Sequence, residues 1–160
     1  MRKLLLLLTV ASVSISFCWA QAPQKKTETK VASKAPAAKK PVLRTLADNK
    51  WQDVPDVKGV QQAVLWGDPQ KGAYGELVKF APGTEAPLHT HTADARSVVV
   101  SGTVLVGLEG AKPREFGPGS YIFTPSGLKH TTGCKTGSDC IFFLYQPGAF
   151  DLKPVEGGAK

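Results

Sequence analysis

From Trp51 onward the chain is cut into short apolar runs by Gly, Pro, Asp and Asn, and nothing there repeats with a helical period. The runs are 61–66, 75–80, 95–108, 120–123 and 140–145, with punctuation at Gly67-Asp68-Pro69, Ala81-Pro82-Gly83, Gly117-Pro118-Gly119, Pro125-Ser126-Gly127 and Gln146-Pro147-Gly148. Segments this short cannot bury a core as helices. They predict an all-β sandwich or barrel, with a turn or two of helix at most near residues 43–51. The sequence has no internal repeat, no Gly-rich phosphate loop and no Gly-x-Ser-x-Gly elbow, so nucleotide binding and serine-hydrolase chemistry have no motif to stand on.

The residues before this region divide in two. Arg2-Lys3, an apolar stretch from Leu4 to Phe17, and Cys18-Trp19-Ala20 before a polar switch at Gln21 have the three regions of a secretory signal peptide, cleaved after Ala20. An uncleaved membrane anchor is the competing reading; lipidation at Cys18 is disfavoured by the bulky Phe17 before it. Residues 21–43 repeat Lys, Ala, Pro, Thr and Ser with almost no large apolar side chains, and predict a disordered tether leading into a domain over 44–160. The expected location is periplasmic or secreted.

The formal charge of +7 sits in these leading segments. Arg2, Lys3 and six lysines between 21 and 43 carry it against Glu28, whereas residues 44–160 hold twelve basic and twelve acidic residues. The tether lacks interleaved aromatics, which argues against nucleic acid; weak contact with an anionic envelope surface is the partner its lysines suggest, beside the plainer reading of a solvated spacer. A homodimer is left open. Past the leader two cysteines remain, Cys134 and Cys140, separated by the turn formers Lys-Thr-Gly-Ser-Asp. In an oxidising compartment the pair predicts a disulfide stapling a hairpin, the alternative being a reactive thiol pair.

All three histidines, His89, His91 and His130, fall in the β region. On a strand, His89 and His91 project from one face, where two imidazoles can reach one cation at about 2.0 to 2.2 Å. A neighbouring strand carrying His130 would complete the set. The competing reading is two exposed loop histidines and one unrelated.

The glycines and prolines around these histidines resemble the two motifs of the cupin superfamily. Gly83, five residues, His89-Thr-His91, three residues, Ala95, six residues and Gly102 match the first; Gly119, five residues, Pro125-Ser-Gly127, two residues and His130 match the second. The sixteen residues between Gly102 and Gly119 make a short gap of the kind bacterial cupins show, and the resemblance covers about residues 55 to 147. It is strongest to small single-domain cupins of the anti-sigma-factor (ChrR-like) and DUF4437 types. It implies a jelly-roll barrel of six to eight strands with a metal held inside the barrel mouth by His89, His91 and His130.

Two departures matter. The glutamate ligand of the first motif is replaced by Ala95, or by Arg96 if the spacing is one longer, and the asparagine closing the second is Cys134. Asp94 is the nearest carboxylate, and alternation from His91 turns it away from the interior unless a bulge intervenes. What remains is a three-histidine site with open positions, suited to a divalent transition metal (Zn, Fe, Cu, Ni or Mn) and to an anionic or dioxygen-derived further ligand. Arg96 is a candidate for steering a carboxylate, or a surface charge paired with Asp94. Tyr74, Tyr121, Phe123, Phe142 and Tyr145 are aromatic candidates for the pocket wall; Tyr121 and Phe123, which share parity just before the second motif, are expected to face the cavity. The functions this implies are a metal-dependent, oxygenase-type enzyme acting on a small polar or anionic metabolite, and, as the alternative, a non-catalytic sensor or binding module. No general base is visible.

Overall fold

The structure, a computed structural model, describes residues 40–55 and 57–156; the leader, most of the tether and the last four residues lie outside it. A single 3-10 turn, Leu46–Asp48, precedes eleven strands: β1 Gln52–Asp53, β2 Val60–Gly67, β3 Tyr74–Phe80, β4 Glu85–Thr90, β5 Ala95–Ser101, β6 Val104–Leu108, β7 Arg114–Phe116, β8 Tyr121–Thr124, β9 His130–Cys134, β10 Cys140–Gln146 and β11 Lys153–Pro154. They form two antiparallel sheets, β1-β2-β3-β10-β5-β8 and β11-β4-β9-β6-β7. From β3 onward successive strands alternate between the two sheets, except for the adjacent pair β6 and β7, which is the crossing pattern of a jelly roll.

Period-two alternation decides which side chains fill the interior. On β3, Tyr74, Glu76, Val78 and Phe80 are buried, and on β10 Phe142, Leu144 and Gln146 point the same way. On β5 the parity is plain: Ala95, Ser97 and Val99 are buried, while Val98 and Val100 are exposed. Phe80 and Phe142 stack at 5.8 Å between ring centroids, in a core that continues through Val104 on the opposite sheet. One end of the interior is thus apolar. The other, containing Glu76, Ser97, Thr124, Gln146 and the histidines, is polar and buried.

The run 95–108 is not one strand. Gly102 adopts φ +74, and a Cβ there would lie 2.5 Å from the Asp139 carbonyl oxygen, so only glycine fits. The chain turns at that point and passes from the six-stranded sheet (β5) to the five-stranded one (β6).

Cys134 and Cys140 are bonded, with Cα atoms 5.6 Å apart. The expectation of a hairpin is corrected, however: β9 pairs with β4 and β6 whereas β10 pairs with β3 and β5, so the disulfide joins the two sheets across their connection. Both cysteines are buried in the core. Closing so short a loop removes chain entropy worth about 2 kcal/mol from the unfolded state. The double variant Cys134→Ala, Cys140→Ala is expected to lose about that much in urea unfolding, before any cost of truncating two core side chains.

Candidate metal centre

The three histidines converge because two strands bring them into register. His89 on β4 and His130 on β9 are direct ladder partners, and His91 follows at the end of β4. The β4–β9 ladder shifts between Ala86 and His89, which re-aims the end of β4. Ring centroids lie 4.3 Å (His89–His130), 4.8 Å (His89–His91) and 5.4 Å (His91–His130) apart. One ring nitrogen from each lies within 4.8 Å of the others.

Hydrogen bonds on the far sides of the rings fix which nitrogens these are. His89 Nδ1 is 2.6 Å from the Pro87 carbonyl oxygen, His130 Nδ1 is 3.0 Å from that of Leu128, and His91 Nδ1 contacts that of Asp151. A carbonyl only accepts, so each Nδ1 carries a proton, and in the neutral ring Nε2 is then left with a lone pair. Two such lone pairs, on His89 and His91, then face each other at 3.2 Å. Unprotonated nitrogens repel at that distance unless a cation lies between them, and 3.2 Å is the spacing of two ligands each about 2.1 Å from one ion. Burial pushes the His89 imidazole down to about 4 and lowers that of His130 as well, so both are neutral and ready to ligate. The donor set fits a transition metal.

The surrounding loops lock this arrangement. Asp94 is no substitute ligand: its Oδ1 accepts from the Ser126 amide at 2.9 Å, tying the loop after His91 to the Pro125-Ser126-Gly127 turn. The Gly127 amide donates to the His91 carbonyl at 2.9 Å, and the Ser126 hydroxyl to that of Thr92 at 2.6 Å. The C-terminal segment, to which sequence reasoning assigned no role, lies along β4 with Pro154 paired to His89. Its Asp151 side chain accepts from the Thr92 amide at 2.8 Å while its main chain holds His91, and Phe150 packs on the His91 ring at 5.9 Å. No motif marks that segment.

The histidines open into a cavity of about 90 Å³ between the sheets. Three expected wall residues are elsewhere. Thr124 pairs with Ala95 and both side chains are buried, which puts Ile122 and Thr124 inside and leaves Tyr121 and Phe123 60% and 46% exposed on the outer face. Arg96 shares that outer face by alternation from Ala95 and Ser97; it lies 3.6 Å from Asp94 and 4.9 Å over the Phe123 ring. Of the other aromatics, Phe142 lines the cavity, Tyr145 stacks on Trp66 at 5.7 Å, and Tyr74 donates to Gln146 Oε1 at 2.6 Å.

A residue that sequence reasoning missed stands in the wall instead. Glu76 is 2% exposed, and burial pushes its carboxyl up to about 7. Its parity with Tyr74, Val78 and Phe80 on β3 was the available signal, a charge at a core position.

A family model, the ChrR cupin-like domain, matches residues 39–149. The chain belongs to that family. This cupin is 36% identical over 56 residues to the dimethylsulfoniopropionate lyase DddQ of Ruegeria pomeroyi, a match spanning 35% of the chain and 28% of the lyase, well under two thirds of that protein. Among solved structures it resembles the polyketide cyclase RemF of Streptomyces resistomycificus (TM-score 0.63, 25% identity, 74% of this chain and 86% of that one). It also resembles the Rhodobacter sphaeroides complex of SigE with the anti-sigma ChrR (TM-score 0.52, 27% identity, 64% of this chain and 51% of that one).

Proposed function

We propose that this cupin is an exported protein that holds one divalent transition metal through Nε2 of His89, His91 and His130 and offers it to a small polar or anionic molecule in the adjoining cavity. The observation that carries this reading is the pair of facing Nε2 lone pairs at 3.2 Å, with the Nδ1 of all three rings committed to backbone carbonyls. A bound cation would supply Lewis-acid polarisation of a ligand oxygen. The chain's own part is to hold three imidazoles in one orientation beside a cavity whose wall is mostly apolar. With no anionic protein ligand among the three, the charge of the ion is left for an anionic group of the bound molecule to balance.

Metal-dependent chemistry on a small metabolite is the function this arrangement supports best, and the partial likeness to a lyase of a small metabolite and to a polyketide cyclase points the same way. A non-catalytic sensor is the second reading, favoured by the likeness to an anti-sigma protein. The purified protein is expected to carry about one equivalent of transition metal, and the double variant His89→Ala, His91→Ala close to none, by elemental analysis after dialysis. Metal content unchanged in that variant would refute the site. Oxygen uptake by the loaded protein with small carboxylates separates an oxygenase from a binding module.

A further inference from the structure

Glu76 is placed by register as surely as the histidines. It pairs with Leu144 of β10, Leu144 with Ser97 of β5, and Ser97 with Ile122 of β8. These four side chains form one row across the inner face of the six-stranded sheet, and all of them line the cavity whose other wall carries the histidines. Among the described residues, no lysine or arginine lines that cavity. Among the described residues, Glu76 Oε2 is the buried side-chain atom of the wall that has no hydrogen-bond partner. The neighbouring buried polar pair is satisfied, since the Tyr74 hydroxyl donates to Gln146.

A carboxyl buried without a partner costs stability, and in its ionised form, which only accepts, the partner it lacks is a hydrogen-bond donor or a cation. The metal position does not provide it directly: the set of metal-capable atoms that lie together comprises the three histidines and does not reach Glu76. The cavity that both line is the space open to a ligand. One wall of it, from the five-stranded sheet, carries the histidines, which with an ion bound seek an anion; the facing wall carries a carboxyl that seeks a donor, with apolar Val78, Ile122 and Leu144 beside it.

We propose that Glu76 is the recognition group for the distal end of the ligand, so that the cavity selects small acids bearing a hydroxyl or ammonium donor at the end remote from the carboxylate. This rests on the metal reading above. A single charge-assisted hydrogen bond in a water-poor site is worth at least about tenfold in affinity.

The test uses the full protein loaded with Co²⁺, whose visible absorption reports ligands arriving at the ion, titrated with propionate, 3-hydroxypropionate and β-alanine. One or both donor-bearing acids are expected to bind at least about tenfold tighter than propionate, and which of them does so tells hydroxyl from ammonium. In Glu76→Gln the advantage over propionate falls to within about twofold, while Co²⁺ stoichiometry is retained. Any advantage due to chelation of the ion by the donor itself survives in this variant, so the difference between the two proteins isolates Glu76. Independently of any variant's folding, the infrared C=O band of the Glu76 carboxyl should shift when the donor-bearing acid binds and stay put with propionate. An equal donor advantage in both proteins, or none in the wild type, overturns the assignment. Loss of Co²⁺ from Glu76→Gln overturns it too, by making Glu76 a metal ligand. A wild-type protein that takes up no Co²⁺ overturns the metal reading, and this proposal with it.

Discussion

Zinc at a thousandfold excess over its dissociation constant is expected to stabilise the protein by about 4 kcal/mol, and to leave the double variant His89→Ala, His91→Ala unmoved. The effect is large because the folded chain prepays the arrangement. Backbone carbonyls of Pro87, Leu128 and Asp151 hold the three rings, burial keeps His89 and His130 neutral, and the Nε2 lone pairs already converge. An unfolded chain with histidines at 89, 91 and 130 has none of this and binds the ion far less well, so nearly all of the binding free energy appears as folding free energy. Where both rings are neutral and no ion is bound, the facing lone pairs repel, and an ion between them turns this into attraction. Thermal or urea unfolding with and without zinc reads the difference. Because His89 is 2% exposed and its truncation leaves a cavity, the half-buried His91→Ala alone provides the gentler control. A zinc-induced shift of equal size in the variants would place the ion somewhere other than between these rings.

Much of this site was legible in the sequence because its determinants are local. Turn glycines and prolines mark where strands must end, and a His-x-His pair on a strand shares a face whatever the fold. The resemblance to cupin motifs then brought His130 to the same place, and the ladder pairing of His89 with His130 agrees with it. The failures came where the answer depends on a partner strand. Which parity of β8 faces inward is set by the pairing of Thr124 with Ala95; sequence alone ranked the aromatic Tyr121 and Phe123 above the less conspicuous Ile122 and Thr124. The run 95–108 looked continuous because Gly102 is one residue among apolar neighbours, and the carbonyl of Asp139 that leaves no room for a Cβ there comes from far along the chain. Cys134 and Cys140 were read as a hairpin because the turn between them is local, whereas the sheets their strands join are not. The contact of Asp151 with His91 spans sixty residues and leaves no local trace. Glu76 is the instructive case: alternation along β3 places it inward, but a charged residue is ordinarily assigned to solvent, and only the fold shows that it stays inside.

That buried carboxyl predicts a second large effect, of opposite sign to the usual loss on mutation. In the metal-free protein, Glu76→Gln is expected to raise stability by up to about 3 kcal/mol above pH 7 and to change it little near pH 4. The direction follows from a carboxyl that burial pushes from 4.5 up to about 7. Near pH 4 it is largely protonated whether the chain is folded or unfolded, so the folded state suffers no titration penalty. As pH rises through 4.5 the unfolded chain releases the proton while the folded one keeps it, and the wild type loses stability steadily until about 7, beyond which the loss is constant. Glutamine has the same shape and no charge to expose, so the difference between the two proteins should follow that curve in urea unfolding across pH. A difference independent of pH would mean that the Glu76 carboxyl titrates normally in the folded state, solvated by water within the cavity. Binding a divalent cation at the histidines should narrow the gap above pH 7, because a positive charge in the same low-dielectric space favours the carboxylate. On the assignment of Glu76 proposed above, a donor on the bound molecule offsets part of the cost of that buried carboxyl, which an uncharged isostere would not carry.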